Sequence, residues 1–195
     1  MQTEGISFKK VKQNCKMILS RFTEIPRENE EKVKVGVVGE IYVKYSPLGN
    51  NNLEQFLIDE SAEVVVPGLL DFFMYCIVSN ISDIELYGLH KIRKPVLNFV
   101  FGYLQKQQNE IIELMKTDGN FTPPTPIAHT MNLIKDFMGF GTKMGEGWLL
   151  PAEMLELNDE GVHNIVCTQP FGCLPNHICG KGMMKTLKEK KPDMN

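Results

Sequence analysis

Hydrophobic positions along this chain change their period several times, and each change marks an element. Between Ser7 and Phe22, apolar Phe8, Val11, Cys15, Ile18, Leu19 and Phe22 recur at intervals of three and four, the spacing of an amphipathic helix with an inward face. Residues Glu24 to Lys32 form a charged linker around Pro26. The period then collapses into the β-branched run Val33 to Val38, ending in Gly39-Glu40, which fits a buried strand. Turn formers fill Tyr45 to Asn52, and the asparagines are placed to cap a short helix, Leu53 to Glu60, with Leu53, Phe56 and Leu57 inward. Glu63 to Val66 predicts a second strand, stopped by Pro67-Gly68. Strand, helix and strand in so short a span form a βαβ unit with a right-handed crossover.

From Leu69 to Val78 the chain is apolar on nearly every side, predicting a buried helix. The middle, about 81–145, reads as entirely helical: a long amphipathic helix from Pro95 to Met115, a break at Pro123-Pro124-Thr125-Pro126, and a shorter helix through Ile127, Met131, Ile134 and Phe137. Gly139, Gly141, Gly145 and Gly147 predict a flexible loop, and another helix ends across Glu153 to Leu157. His163 to Thr168 is a third strand, followed by a loop from Gln169 to Gly180 and a helix from Lys181 to Lys190. The pattern predicts a three-layer α/β domain of the Rossmann or flavodoxin kind over residues 33–195, with a short, mainly parallel sheet and a helical insertion. Residues 1–32 stand before it as a helix and linker. A doubly wound fold calls for a further strand after the last helix, but only Asp193-Met-Asn195 follows, so the chain reads as part of a longer polypeptide.

Composition narrows the function classes. The 195 residues suit one domain, and 43% hydrophobic content suffices for a core. A formal net charge of −3 offers no footprint for nucleic acid. Of the 21 basic residues, 11 lie within 9–27 and 181–191, where they read as solvated helix faces. No run reaches the roughly 18 apolar residues of a membrane span, and the start MQTEGISFKK lacks the apolar core of a signal peptide. Five unevenly spread cysteines do not form a disulfide framework, so a reducing cytoplasm is expected.

The sharpest motif is Gln169-Pro-Phe-Gly-Cys-Leu-Pro-Asn-His-Ile-Cys-Gly-Lys-Gly182, after a strand and before a helix. Open α/β sheets bind ligands at the carboxyl ends of their strands, and a nearby helix N-terminus favours a thiolate. Cys173 therefore suits a metal ligand or a redox thiol, while a cysteine merely shaped into a tight turn fits the same spacing. Cys167, Cys173 and Cys179 stand six apart, which is no CxxC spacing. Cys15, Cys76 and Cys167 read as core, with Cys179 intermediate. His177 is a candidate second ligand, proton donor or loop hydrogen-bonder, whereas His90, His129 and His163 read as structural. Gly172, Gly180 and Gly182 resemble a phosphate cradle but match neither a Walker A nor a dinucleotide fingerprint. Glu40, an acid or base or else a loop salt bridge, joins Gly39, Tyr42, Tyr45, Ser46, Asn50 and Asn51 in loops expected to face the same crevice. Trp148 reads as a lid residue or a core anchor.

Four segments, Lys34 to Tyr42, Asn50 to Phe56, Gly145 to Glu153 and Gln169 to His177, together resemble the acyl-CoA dehydratase activase-related proteins, which are similar to the 2-hydroxyglutaryl-CoA dehydratase component family. The resemblance covers roughly Val33 to Lys188. It implies ATP-driven, low-potential electron transfer through cysteine-bound [4Fe-4S] clusters in strict anaerobes. Carried onto this chain, it makes Cys173 the cluster-ligand candidate, with the Gly39-Glu40 and Asn50 loops lining the cavity. The partners implied are further domains of a larger protein or an activase, with acyl-CoA as the associated ligand. The family's upstream Cys-Phe-Pro motif and its ATP-binding portion have no counterpart here. A non-catalytic docking module and a CoA or nucleotide binder are the two other functions compatible with the pattern.

Overall fold

The computed structural model describes residues 7–27 and 30–195, so the middle of the expected linker, at 28–29, lies outside the described residues. The fold is mixed α/β around a small, open, wholly parallel sheet of three strands in the order β2-β1-β3. The strands are β1 (Lys34–Gly39), β2 (Glu63–Val65) and β3 (Asn164–Thr168), each within a residue of the span its β-branched run predicts. Register runs from Lys34 opposite Glu63 on one side of β1, and from Val35 opposite Asn164 to Gly39 opposite Thr168 on the other. Central β1 buries Gly36 through Gly39, as expected of a strand covered on both faces.

Helix α1 (Phe8–Thr23) precedes the sheet. Between β1 and β2 lie three short helices, α2 (Ile41–Tyr45), α3 (Pro47–Asn50) and α4 (Leu53–Asp59). The crossover from β2 to β3 carries α5 (Leu69–Tyr87), α6 (Lys94–Asp118), α7 (Ile127–Ile134) and α8 (Leu149–Asp159), and α9 (Met184–Lys190) follows β3. No helix among the described residues is long and apolar enough to cross a membrane.

The core is built on α8, whose ten residues Leu149 to Asn158 are all buried. Around it gather Val38, Tyr75, Val78, Ile134, Trp148 and Leu187. Trp148 is an anchor of this core, fully enclosed, with ring centroids 5.0 Å from Tyr75 and 4.9 Å from Phe140. It is not a lid.

Several expectations need correction. α5 is not buried all round: Leu69, Leu70 and Phe73 are exposed, while the opposite face encloses Asp71, Ser79 and Ser82. Phe56 of α4 also faces outward. The stretch 81–145 is not continuously helical, because α6 ends at Gly119 in a left-handed cap and residues 135–148 form turns. The glycines of that turn region do not confer looseness. Gly147 has φ 45°, and a Cβ there would stand 2.2 Å from the Thr142 carbonyl oxygen and 2.6 Å from the Tyr75 hydroxyl. Glycine is required by this close approach, and the turn is pinned by Trp148 N–H donating to Thr142 O at 2.8 Å. Among the asparagines, Asn50 does the capping: its Oδ1 accepts the Leu53 amide at 3.2 Å, while Asn52 in the cap position makes no side-chain bond. α1 buries no residue, so Cys15 is only half-covered.

Candidate functional site

Because the chain leaves β1 for β2 on one side and returns to β3 on the other, the loops after β1 and β3 open on one edge of the sheet, at the point where the strand order reverses. Gly39 starts this edge. Its φ of 143° and a virtual Cβ only 2.0 Å from Thr168 O leave no space for a side chain. The two strands touch here, and Glu40 N–H donates to Thr168 O at 3.0 Å.

Glu40 then caps α2, accepting the Val43 amide at 2.8 Å through Oε2. The first amide of α2, Ile41 N–H, is taken by Glu146 Oε1 at 3.0 Å. The other oxygen of Glu146 accepts Asn176 Nδ2 at 2.8 Å, so one buried carboxylate ties the β1 loop to the β3 loop. Asn176 is wholly enclosed, and the acceptor-only carboxylate fixes which way its amide faces. Its Nδ2 also donates to Cys173 Sγ at 3.2 Å, and its Oδ1 has no partner among the described residues. Gln169 completes the frame, donating through Nε2 to Asn176 O at 3.0 Å and to Cys167 Sγ at 3.3 Å.

The loop itself turns at Gly172 (φ 75°), winds through a π-helical turn at Asn176–Gly180, and continues as a 3-10 turn at Lys181–Met183 before α9. Cys173 is half-exposed and His177 exposed, while Cys179 is buried. All five cysteines are free. Burial pushes the thiols of Cys76, Cys167 and Cys179 up from their ordinary value. Phe171, Leu174 and Ile178, on the same loop as Cys173, are exposed apolar side chains.

Of the residues expected in the crevice, Gly39, Glu40, Gly172, Cys173 and His177 do lie on the two loops at this edge. Asn50 and Asn51 serve the α3–α4 turn instead: Asn50 bonds Lys44 O and Leu53 N, and Asn51 adopts a left-handed conformation at the surface. The amides of Ile41 and Val43, which an incoming phosphate would seek, are already held by two carboxylates. Glu146 and Asn176, which join the loops, carry no local signal of that role.

A second polar assembly lies beneath this edge. Lys44 is buried and bonds both oxygens of buried Glu153, at 2.8 and 3.0 Å. Burial lowers the Lys44 ammonium, but Glu153 and Tyr45 outweigh it and hold it above its ordinary value. Burial pushes the Glu153 carboxyl up more than Lys44 holds it down. Asp71, bonded to Gln108 at 2.7 Å, is pushed up to about 6 by burial, against that hydrogen bond and the charge of Lys44. Glu156, bonded to Thr130 at 2.7 Å, is pushed up to about 8 by burial. Gln108 passes its other end to the Ile127 amide, so the network braces α5, α6, α7 and α8 together.

A cavity of about 520 Å³ lies elsewhere, between Ile18 and Phe22 of α1, the starts of β1 and β2 at Lys34 and Glu63, and Phe121. Among the described residues no group of three or more His, Cys, Asp or Glu side chains is arranged to hold a metal ion. No family model, no curated protein and no solved structure matches the chain.

Proposed function

We propose that the chain is a component of an ATP-driven, iron–sulfur-dependent electron-transfer system of the 2-hydroxyacyl-CoA dehydratase type, working in a reducing cytoplasm. In it, Cys173 is the single thiolate this chain lends to a [4Fe-4S] cluster whose other ligands come from a further domain or an activase-type partner. The observation that carries the reading is Cys173 itself: partly exposed at the strand-reversal edge, with the clamped Asn176 amide donating to its sulfur. An N–H directed at a ligating sulfur is one of the levers by which proteins tune such clusters. The donor set fits one ligand and not four, since among the described residues no group of three or more His, Cys, Asp or Glu side chains is arranged to hold a metal ion. A bound cluster would supply the electron transfer. The protein's own part is to orient Sγ, through Glu146 and Asn176, and to present it beside an apolar contact surface. We also infer that the sheet is of the doubly wound, Rossmann or flavodoxin type, which is supported by its parallel strands and the central position of β1.

The exposed trio Phe171, Leu174 and Ile178 supports a second reading, in which the same loop is a docking knuckle that binds no metal. The two separate on anaerobic reconstitution of the full chain with ferrous iron, sulfide and a low-mass thiol to fill the remaining coordination positions. The first reading expects iron and acid-labile sulfide with a brown chromophore, lost in Cys173→Ala. Colourless, iron-free protein in both cases rejects it and leaves the docking reading.

A further inference from the structure

Helix α6 is apolar on two faces. Inward, Phe101 packs on the core cluster, and Gln108 and Ile112 are buried. Outward, Ile92 sits in the 3-10 turn Lys91–Arg93 that leads into the helix. Val96, Phe99 and Tyr103 follow it at intervals of four, three and four, with Val100 beside them. All five are exposed, Ile92 by 92% and Phe99 by 74%. A surface helix needs one apolar face, and a helix apolar all round belongs in an interior. The outward spacing is that of the seam between two paired helices.

Gly102 stands in mid-helix beside this seam, where glycine is less stable than alanine, yet a Cβ there would meet nothing within 4 Å. The packing of the chain itself does not call for glycine at this point; a second backbone passing close over it does. The charges along the helix are also set against its dipole, with Lys91, Arg93 and Lys94 at the start, where cations are disfavoured. Lys94 is paired with Glu85 at 2.8 Å, whereas Lys91 and Arg93 have no carboxylate partner among the described residues. Two turns beyond Tyr103, on the same face, Glu110 bonds Lys12 through Oε2.

We propose that the outward face of α6 seats a second copy of this chain, packed antiparallel about a two-fold axis beside Gly102. In that register Phe99 of each copy stands level with Tyr103 of the other, and Lys91 and Arg93 flank the level of Glu110. The two-fold makes every contact twice. A helix with a basic start and a carboxylate further on is complementary to itself turned end for end. At the roughly 150–250 Å² of an aromatic side chain, and somewhat less for Val and Ile, the exposed parts of the five residues come to about 600 Å². That is at the top of the roughly 300–600 Å² of the largest apolar patch on a typical monomer. Arg93, Pro95 and the stem of Lys106 at the rim bring it to the roughly 800 Å² per partner of a stable interface.

Sedimentation equilibrium of the full chain from about 1 to 100 μM is the test, and the expected species is a dimer in exchange with monomer. The dissociation constant should rise about tenfold or more in Phe99→Glu and in Gly102→Leu, with far-UV circular dichroism unchanged because both positions are open in the monomer. Lys91→Glu with Arg93→Glu should weaken the dimer as well, and adding Glu110→Lys should recover part of that loss. A monomer at every concentration overturns the proposal and leaves the face to a different protein. A dimer indifferent to Phe99→Glu and Gly102→Leu also overturns it, and failure of Glu110→Lys to recover any affinity overturns the antiparallel register.

Discussion

Helices α1 and α8 invert what their sequences suggest. α1 has the clean amphipathic spacing of a packed helix, yet none of its residues is buried, and Phe22 remains 55% exposed. α8 carries Glu153, Glu156 and Asn158 in eleven residues, yet buries ten in succession. The difference lies in what each meets. α1 is held at the periphery by Lys12 against Glu110, by Arg27 stacked 4.6 Å over the Phe121 ring, and by an edge-on contact of Phe22 with Phe121. α8 lies against β1 and α7, and Lys44 of α2 and Thr130 of α7 satisfy its two buried carboxyls, Glu153 and Glu156. Periodicity reports that a face is apolar; the neighbours decide whether that face is covered and whether a charge beside it is tolerable.

The sharpest break of this contrast is the ion pair under the sheet edge. Lys44→Met or Glu153→Leu alone should destabilise by about 3–5 kcal/mol in urea unfolding, because each strands a buried polar partner. The double variant should cost less than either single one, since two apolar groups of similar size replace a matched pair. Additive losses would mean the two side chains do not act as a pair.

Glu156 gives the next largest effect. Its carboxyl sits at about 8 in the folded chain against an ordinary value of 4.5, so the folded state holds the proton more tightly than the unfolded state. Stability is therefore unpenalised below about 4.5, falls as pH rises from there to about 8, and levels off above. The total is on the order of 5 kcal/mol. Asp71 adds a fall in the same direction between 3.8 and about 6. Glu156→Gln keeps an acceptor for Thr130 and should remove the part of the slope above pH 6. A slope unchanged in that variant would assign it to another group.

Asn176→Ala follows, at about 1–3 kcal/mol, because Glu146 loses a buried donor. At the bottom of the scale, Ile18→Ala in exposed α1 should change stability by less than about 1 kcal/mol. A loss like that of a core leucine would place α1 in the core after all.

These residues also mark how far the sequence could be read. The β-branched runs at 34–39, 63–65 and 164–168 located all three strands, because a buried parallel strand writes its burial into consecutive residues. The cysteine loop was legible as a motif between a strand and a helix. What joined it to the rest was not. Glu146 and Asn176 are 30 residues apart, and Lys44 and Glu153 are 109 apart, so no local spacing links them. One signal was available: Glu153 and Glu156 lie within the apolar stretch Leu149 to Leu157, and carboxyls so embedded require buried partners. The flexible reading of the glycine turn failed because Gly147 answers to a steric contact with Thr142 and Tyr75, remote from any local pattern.

Alkylation of the native chain, with each cysteine followed by mass spectrometry in wild type and Asn176→Ala, tests whether Cys173 is available as the proposed ligand. Cys173 should be modified well ahead of Cys76, Cys167 and Cys179, and its rate should change when the Asn176 amide is removed while theirs do not. Modification of Cys173 no faster than that of enclosed Cys179, or a rate indifferent to Asn176, would contradict it.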